Sequence, residues 1–240
     1  MTLTLALDTA TDLATIGVGD ADGCIAELTL GRRRHAAATV PAVEQVLDIA
    51  GRDLREVTRI VLADGPGSFT GLRIGVATVQ GLLRERDDIV VSAVPSLLGT
   101  AWIGARFADG PIAALYDALR GDVYGAVYAF GDRVRVLLEP TVAPVRALAD
   151  RVPAVSLAVG DGAARYPEDV RRWTGSVPVG PPMGSPRAAA LLALADLPGA
   201  SSPVPDITRF EPTYGRPAEA QARWERQHGR PLPDSPGRAI

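Results

Sequence analysis

The stretch Gly65-Pro66-Gly67-Ser68-Phe69-Thr70-Gly71-Leu72-Arg73-Ile74-Gly75 constrains this chain more than any other. Four glycines and one proline fall within these eleven residues, between the apolar run Ile60-Val61-Leu62-Ala63 and a segment with helical periodicity to about Arg84. Adjacent Gly and Pro mark a turn, so the pattern reads as strand, tight loop and helix. Ser68 or Thr70 suits the N-cap, where a hydroxyl accepts a bond from a free amide of the first turn. Leu72, Val76, Val79 and Leu83 recur at steps of four, three and four, which makes an apolar stripe. Gly71 and Gly75 lie four apart on the same helix and leave an edge without side chains, where another backbone can approach closely.

Around this stretch the order of elements is an α/β one. Thr2 to Thr9, Leu13 to Val18 and Cys24 to Leu30 read as three strands in an antiparallel meander. Residues 36 to 50 form a helix with Val40, Val43, Leu47 and Ala50 on one face, kinked or interrupted at Pro41. Strands at 58 to 63 and Val90 to Val94 flank the glycine-rich helix, and a further helix starts near Pro95-Ser96. The order then restarts: Ile112 to Tyr116, Val123 to Phe130 and Val134 to Leu138 as strands, a helix near 144 to 151, a strand at Val155 to Val159, and helices after Gly162 and from Pro186 to Leu194. A meander followed by α/β elements occurs twice, which predicts a duplicated two-lobed fold rather than a Rossmann alternation. The predicted bounds are 1–107 for the first lobe, 108–213 for the second and 214–240 for an Arg- and Pro-rich, irregular tail, with a turn or two of helix at Ala218 to Gln227.

The same residues weigh several chemistries. A glycine loop before a helix can cradle an anion, yet Gly65, Gly67 and Gly71 miss the G-x-G-x-x-G spacing, and the chain has no Lys at all for a Walker motif. Tight turning and close packing explain the loop better. Asp8-Thr9-Ala10-Thr11 could hold a metal-nucleotide, with Asp8 toward a metal-bound water and Thr9 and Thr11 toward phosphate; an ordinary turn uses the same residues. The two histidines, His35 and His228, are isolated from any metal-binding spacing. Ser68 lacks the G-x-S-x-G setting of a nucleophile. The single cysteine, Cys24, reads as a small buried apolar residue. Arg32-Arg33-Arg34 could touch RNA phosphate, but a solvated loop is the better reading in a chain of net charge -3. Met1-Thr2-Leu3 enters a strand with no basic or membrane-length apolar leader, from which a cytoplasmic protein without a membrane partner is expected. The helix at 70 to 84, glycines on one edge and Leu72 and Val76 on another, suits a helix that serves both a core and a partner.

The glycine-rich stretch resembles the signature of the TsaB (YeaZ) family, a subunit of the machinery that makes threonylcarbamoyladenosine in tRNA. Leu5-Ala6-Leu7-Asp8-Thr9-Ala10-Thr11, His35, Asp117-Ala118-Leu119-Arg120-Gly121-Asp122-Val123-Tyr124, Gly160-Asp161-Gly162-Ala163 with Tyr166, and Pro212-Thr213-Tyr214 agree with it. Leu119 and Gly215 depart from its pattern, in place of an Arg and a Leu. The resemblance implies the duplicated actin-like ATPase (ribonuclease H-like) fold, with mixed sheets flanked by helices. It also implies a non-catalytic role beside a TsaD-like transferase, within an assembly that includes a TsaE-like ATPase and meets tRNA through the complex. A homodimer is a further possibility, as is ATP or ADP at a complex interface, with no cofactor required; Asp8, Thr9 and Thr11 would be a vestigial nucleotide site. The first-lobe helices would carry the partner interface, through His35, Val40, Val43, Leu47, Gly71, Leu72, Gly75, Val76 and Val79. On this reading, a bulky residue at position 75 abolishes partner binding and leaves the monomer folded. The contrasting expectation is an enzyme in its own right, either a glycoprotease or an ATPase using Asp8 and Thr11.

Overall fold

The first strand, Leu3-Thr4-Leu5-Ala6-Leu7-Asp8, alternates leucines with short side chains that a second covered face can also take. In the computed structural model, which describes residues 2–31, 35–215 and 228–229, this strand, β1 (Leu3–Asp8), is buried throughout and sits inside a six-stranded sheet. β2 (Ala14–Asp20) and β3 (Gly23–Leu30) continue it as an antiparallel meander, with Leu5 opposite Val18 and Ile16 opposite Leu28. Helix α1 (His35–Ala50) leads through a single 3-10 turn at Leu54–Glu56 to β4 (Val57–Ala63), which runs parallel to β1 with Leu5 opposite Ile60. Helix α2 (Phe69–Leu82), β5 (Val90–Val94) and helix α3 (Ser96–Gly104) complete the first pass.

The second sheet repeats the plan. β6 (Ile112–Asp117), β7 (Val123–Ala129) and β8 (Arg135–Ala143) form a meander, helix α4 (Val145–Arg151) follows, and β9 (Leu157–Val159) returns parallel to β6. Helices α5 (Asp161–Arg165) and α6 (Pro167–Thr174) stand where α2 stands in the first lobe. The duplicated α/β order, two mixed sheets flanked by helices, is therefore the architecture.

The chain does not end in its second half. Helix α7 (Ala188–Leu194) packs against β1, β2 and β3, and β10 (Ser202–Pro203) adds to the first sheet beside β5. Val204 and Ile207 join the first lobe's outer core. The predicted second-lobe span 108–213 is thus divided, because the segment from α7 onward finds its apolar surface on the first sheet. Three cores result. One lies between the first sheet and α1 and α2, another between the second sheet and α4 to α6, and a middle one joins the sheets through Leu97, Leu98, Ile112, Tyr128, Val159 and Leu191.

One local expectation narrows and another changes. Pro41 lies inside α1 on its exposed side without ending the helix, held by the buried face of Ala42, Val43, Val46 and Leu47. Burying side chains of that size contributes roughly 1.5–3 kcal/mol each for the larger ones. Cys24 is exposed rather than buried, since β3 is an edge strand whose first residues nothing covers. The predicted tail helix at 218 to 227 and the Arg32-Arg33-Arg34 cluster lie outside the described residues.

Candidate functional site

The glycine-rich loop joins β4 to α2 and is bonded to three other segments. The Gly65 amide donates to Ser96 Oγ at 3.0 Å and the Ser96 amide returns a bond to the Gly65 carbonyl at 2.8 Å. The Ser68 amide donates to the Ala10 carbonyl at 2.7 Å, and the Thr213 amide to the Asp64 carbonyl at 2.8 Å. Ser68 is the N-cap, its Oγ accepting from the Gly71 amide at 3.2 Å. A Cβ on Gly67 would strike the Ala10 carbonyl and one on Gly71 the Thr9 carbonyl; on Gly75 it would come within 2.6 Å of Thr9 Oγ1 and 3.2 Å of Leu62 Cδ1. The bare helix edge is thus occupied, but the backbone that approaches it is the chain's own β1–β2 turn. The amides of Gly65, Ser68 and Gly71 are spent inside the chain in this way.

This placement redistributes the residues expected at a partner surface. Val43, Leu47, Leu72, Val76 and Val79 are buried, as are Gly71 and Gly75, so these residues face the lobe's own interior. The physical reason is that a helix lying on a sheet must bury its apolar stripe there first. Val40 is 47% exposed. His35 opens α1, and its side chain lies outside the described residues. The outward faces of the two touching helices carry Val40, Pro41, Glu44 and Ile49 from α1, and Phe69, Arg73, Ala77 and Gly81 from α2. At the start of α2, Phe69 packs on Tyr214 with ring centroids 4.6 Å apart, and the Arg73 guanidinium lies over the Phe69 ring. Tyr214, assigned by sequence to the irregular tail, is therefore held against α2.

Asp8, Thr9 and Thr11 sit at the end of β1 and in the turn after it. Asp8 Oδ1 accepts from the Ala10 amide at 2.8 Å. Burial pushes its carboxyl up to about 7, against the lowering effect of that amide and with the Asp64 charge adding to the rise. Burial also pushes Asp64, at the end of β4, up to about 7. Thr9 Oγ1 is buried without a hydrogen-bond partner. Thr11 Oγ1 donates to the Leu13 carbonyl at 3.0 Å and accepts from the Leu13 amide at 3.2 Å. Of the three, Thr11 lines a cleft of about 190 Å³ between the lobes, together with Asp12, Tyr116, Asp161, Gly184 and Ser185. Turn amides bonded inward, two acids in the lining and a volume below the roughly 300 Å³ of ordinary ligand sites do not fit a nucleotide triphosphate. Sequence reasoning missed Asp64, Asp161 and Ser185 as a set; the one signal for them was Gly160-Asp161-Gly162, which recurs after β9 as the glycine-rich loop does after β4.

The duplicated meander-helix-strand order, with a cleft where the β1–β2 turn at Thr11 to Leu13 meets Tyr116 and Asp161 of the second half, defines the actin-like, ribonuclease H-like class. Residues 27–167 match the family model described as TsaD, tRNA N6-adenosine threonylcarbamoyltransferase. The tRNA threonylcarbamoyladenosine biosynthesis protein TsaB of Bacillus subtilis (strain 168) is 33% identical over 231 residues, 92% of this chain and 96% of that protein. TsaB of Escherichia coli (strain K12) is 29% identical over 222 residues, 88% and 94% of the two chains. A crystal structure from Pseudomonas aeruginosa, described as an uncharacterized protein with similarity to peptidase YEAZ, superposes with a TM-score of 0.74 at 28% identity, covering 90% of this chain and all of that one. The chain belongs to the TsaB (YeaZ) family, associated by name with tRNA threonylcarbamoyladenosine biosynthesis. Among the described residues no group of three or more His, Cys, Asp or Glu side chains is placed to hold a metal ion, and no helix is long and apolar enough to cross a membrane.

Proposed function

We propose that this chain is a non-catalytic subunit that binds and stabilises a TsaD-like transferase during formation of threonylcarbamoyladenosine next to the anticodon of tRNA. The observation that carries the reading is the pair of adjacent helices α1 and α2, whose inward stripes are already buried and whose outward faces still expose Val40 on α1 and Phe69 with the small residues Ala77 and Gly81 on α2. Small residues let partner helices come close, and exposed aliphatic and aromatic side chains supply the apolar centre that protein interfaces need. A TsaE-like ATPase would complete the assembly and tRNA would be met through the complex. A nucleotide of the assembly would be held mainly by partners, since Asp8, Thr9 and Thr11 do not converge on a cavity of nucleotide size.

Depletion of the protein, followed by assay of threonylcarbamoyladenosine in bulk tRNA, tests the role. Loss of the modified nucleoside, restored by the intact chain and not by a folded Val40→Asp, Ala77→Arg variant, is the expected result. Unchanged modification after depletion would overturn it.

A further inference from the structure

The segment after β10 is tied to both ends of α2. Gln80 Nε2, in the last turn of the helix, donates to the Ile207 carbonyl at 2.9 Å, and Tyr214 meets Phe69 and Arg73 near its start. Val204 and Ile207 are buried, and the Thr213 amide donates to the Asp64 carbonyl, so the backbone before Tyr214 is fixed to the first lobe. Arg73 Nε donates to Tyr214 Oη at 3.3 Å, while its guanidinium carbon stands 4.8 Å from the centre of the Phe69 ring. These two contacts set the direction of the guanidinium without covering it: Arg73 is exposed, and Phe69 is 37% exposed. With Nε turned to the tyrosine, the two terminal nitrogens present the flat, end-on edge that matches a pair of carboxylate oxygens.

We propose that Phe69, Arg73 and Tyr214 form an anchor beside the α1–α2 docking surface that takes a carboxylate and an adjoining apolar side chain of the transferase, with Tyr214 as the positioning residue that aims Arg73. The anchor rests on the docking reading above and adds to it a segment outside the two helices. Continuity supports the placement, because Phe69 and Arg73 lie on the same outward face of α2 as Ala77 and Gly81. Arg and Tyr are residue types that concentrate binding energy in interfaces, and a side chain already held in place loses less freedom on docking. The alternative anion is an RNA phosphate. The exposed Glu44 of α1, on the same pair of touching helices, and the apolar ring under the guanidinium favour the protein partner.

Binding of a purified TsaD-type transferase to the full chain, with melting measured in parallel, tests the anchor. Arg73→Ala should weaken binding at least about tenfold. Arg73→Lys keeps the charge and loses the fork, so it should weaken binding as well, and it decides where Arg73→Ala melts early. Tyr214→Phe keeps the ring and loses the hydroxyl, and should weaken binding about threefold to tenfold. Because Tyr214 acts through Arg73, adding Tyr214→Phe to Arg73→Ala should change the affinity by no more than about twofold. A merely structural hydroxyl would instead lower the melting midpoint and add to the loss. Full binding by both Arg73 variants, additive losses in the double variant, or weakened binding of bulk tRNA alone would overturn the proposal. The Val40→Asp, Ala77→Arg variant in the same assay separates the two readings. Its loss beside full binding by the Arg73 variants removes the anchor and leaves the docking surface, and full binding by all of them removes both.

Discussion

The two lobes use one packing device and put it to different ends. In each, a glycine at the opening of the helix after the second parallel strand packs on the end of the first strand: Gly71 on Thr9 beyond β1, and Gly162 on Leu115 and Tyr116 at the end of β6. What differs is the connection. Asp64 to Ser68 is long enough to fold back onto Ala10, and the first lobe's turn is filled by its own chain. Gly160-Asp161-Gly162 is short, so it leaves the Asp161 carboxyl in the cleft. The outer surfaces differ as well. α1 and α2 expose Val40, Ile49 and Phe69, whereas α4 and α6 carry the ion pairs Arg146–Asp169 and Arg172–Asp169. Duplication fixes the strand order and the glycine contact, and the loops and outward faces are where the copies acquire separate uses.

If the glycine device is shared, breaking it should cost each lobe alike. Gly71→Val and Gly162→Val each push a side chain into backbone atoms, and each should lose about 3 kcal/mol or more in chemical denaturation. A tolerated Gly162→Val would break the parallel. Gly75→Leu belongs with them: a side chain there meets Thr9 and Leu62, so the substitution should unfold the first lobe rather than separate a folded monomer from its partner.

The buried acids give a comparable effect with a definite sign. Asp8 rises from 3.8 to about 7 on folding, so the folded state binds a proton that the unfolded chain has lost between those values. The stabilisation is fully present below about pH 4 and fades as pH rises through about 7. Melting followed from pH 4 to 8 should lose on the order of 4 kcal/mol from this group, and Asp8→Asn should flatten the slope. Asp161→Asn should flatten it less, because the Asp117 and Gly162 amides oppose the rise there. Equal flattening would remove this distinction between the lobes.

Surface changes should be smaller. Gly81→Ala, in open space on the outward face of α2, should stabilise by about 0.5–1 kcal/mol through helix propensity. Arg172→Ala should alter stability by about 0.5 kcal/mol or less, since its side chain is largely in water.

Much of this was legible in the residues. Apolar periodicity placed the strands and α2, and Ser68 announced the helix start. Periodicity says that Val43, Leu47, Leu72 and Val79 are covered and is silent on what covers them, so a lobe interior and a partner surface look the same. Glycine spacing likewise promised a close backbone at Gly71 and Gly75 without saying whose. The return of α7 and β10 to the first sheet was not legible, because a short Ala- and Leu-rich helix fits either sheet and β10 is two residues long. Asp64 and Ser185 carry no motif, and tertiary placement alone makes them notable.

The outward faces of α1 and α2 are the docking surface proposed for the transferase. Its most direct test is the affinity of a purified TsaD-type transferase for the intact chain and for the Val40→Asp, Ala77→Arg variant, with melting measured in parallel. An unchanged melting midpoint and at least about a hundredfold loss of affinity are expected, as when charge enters the apolar centre of an interface. Full affinity in the folded variant would contradict it.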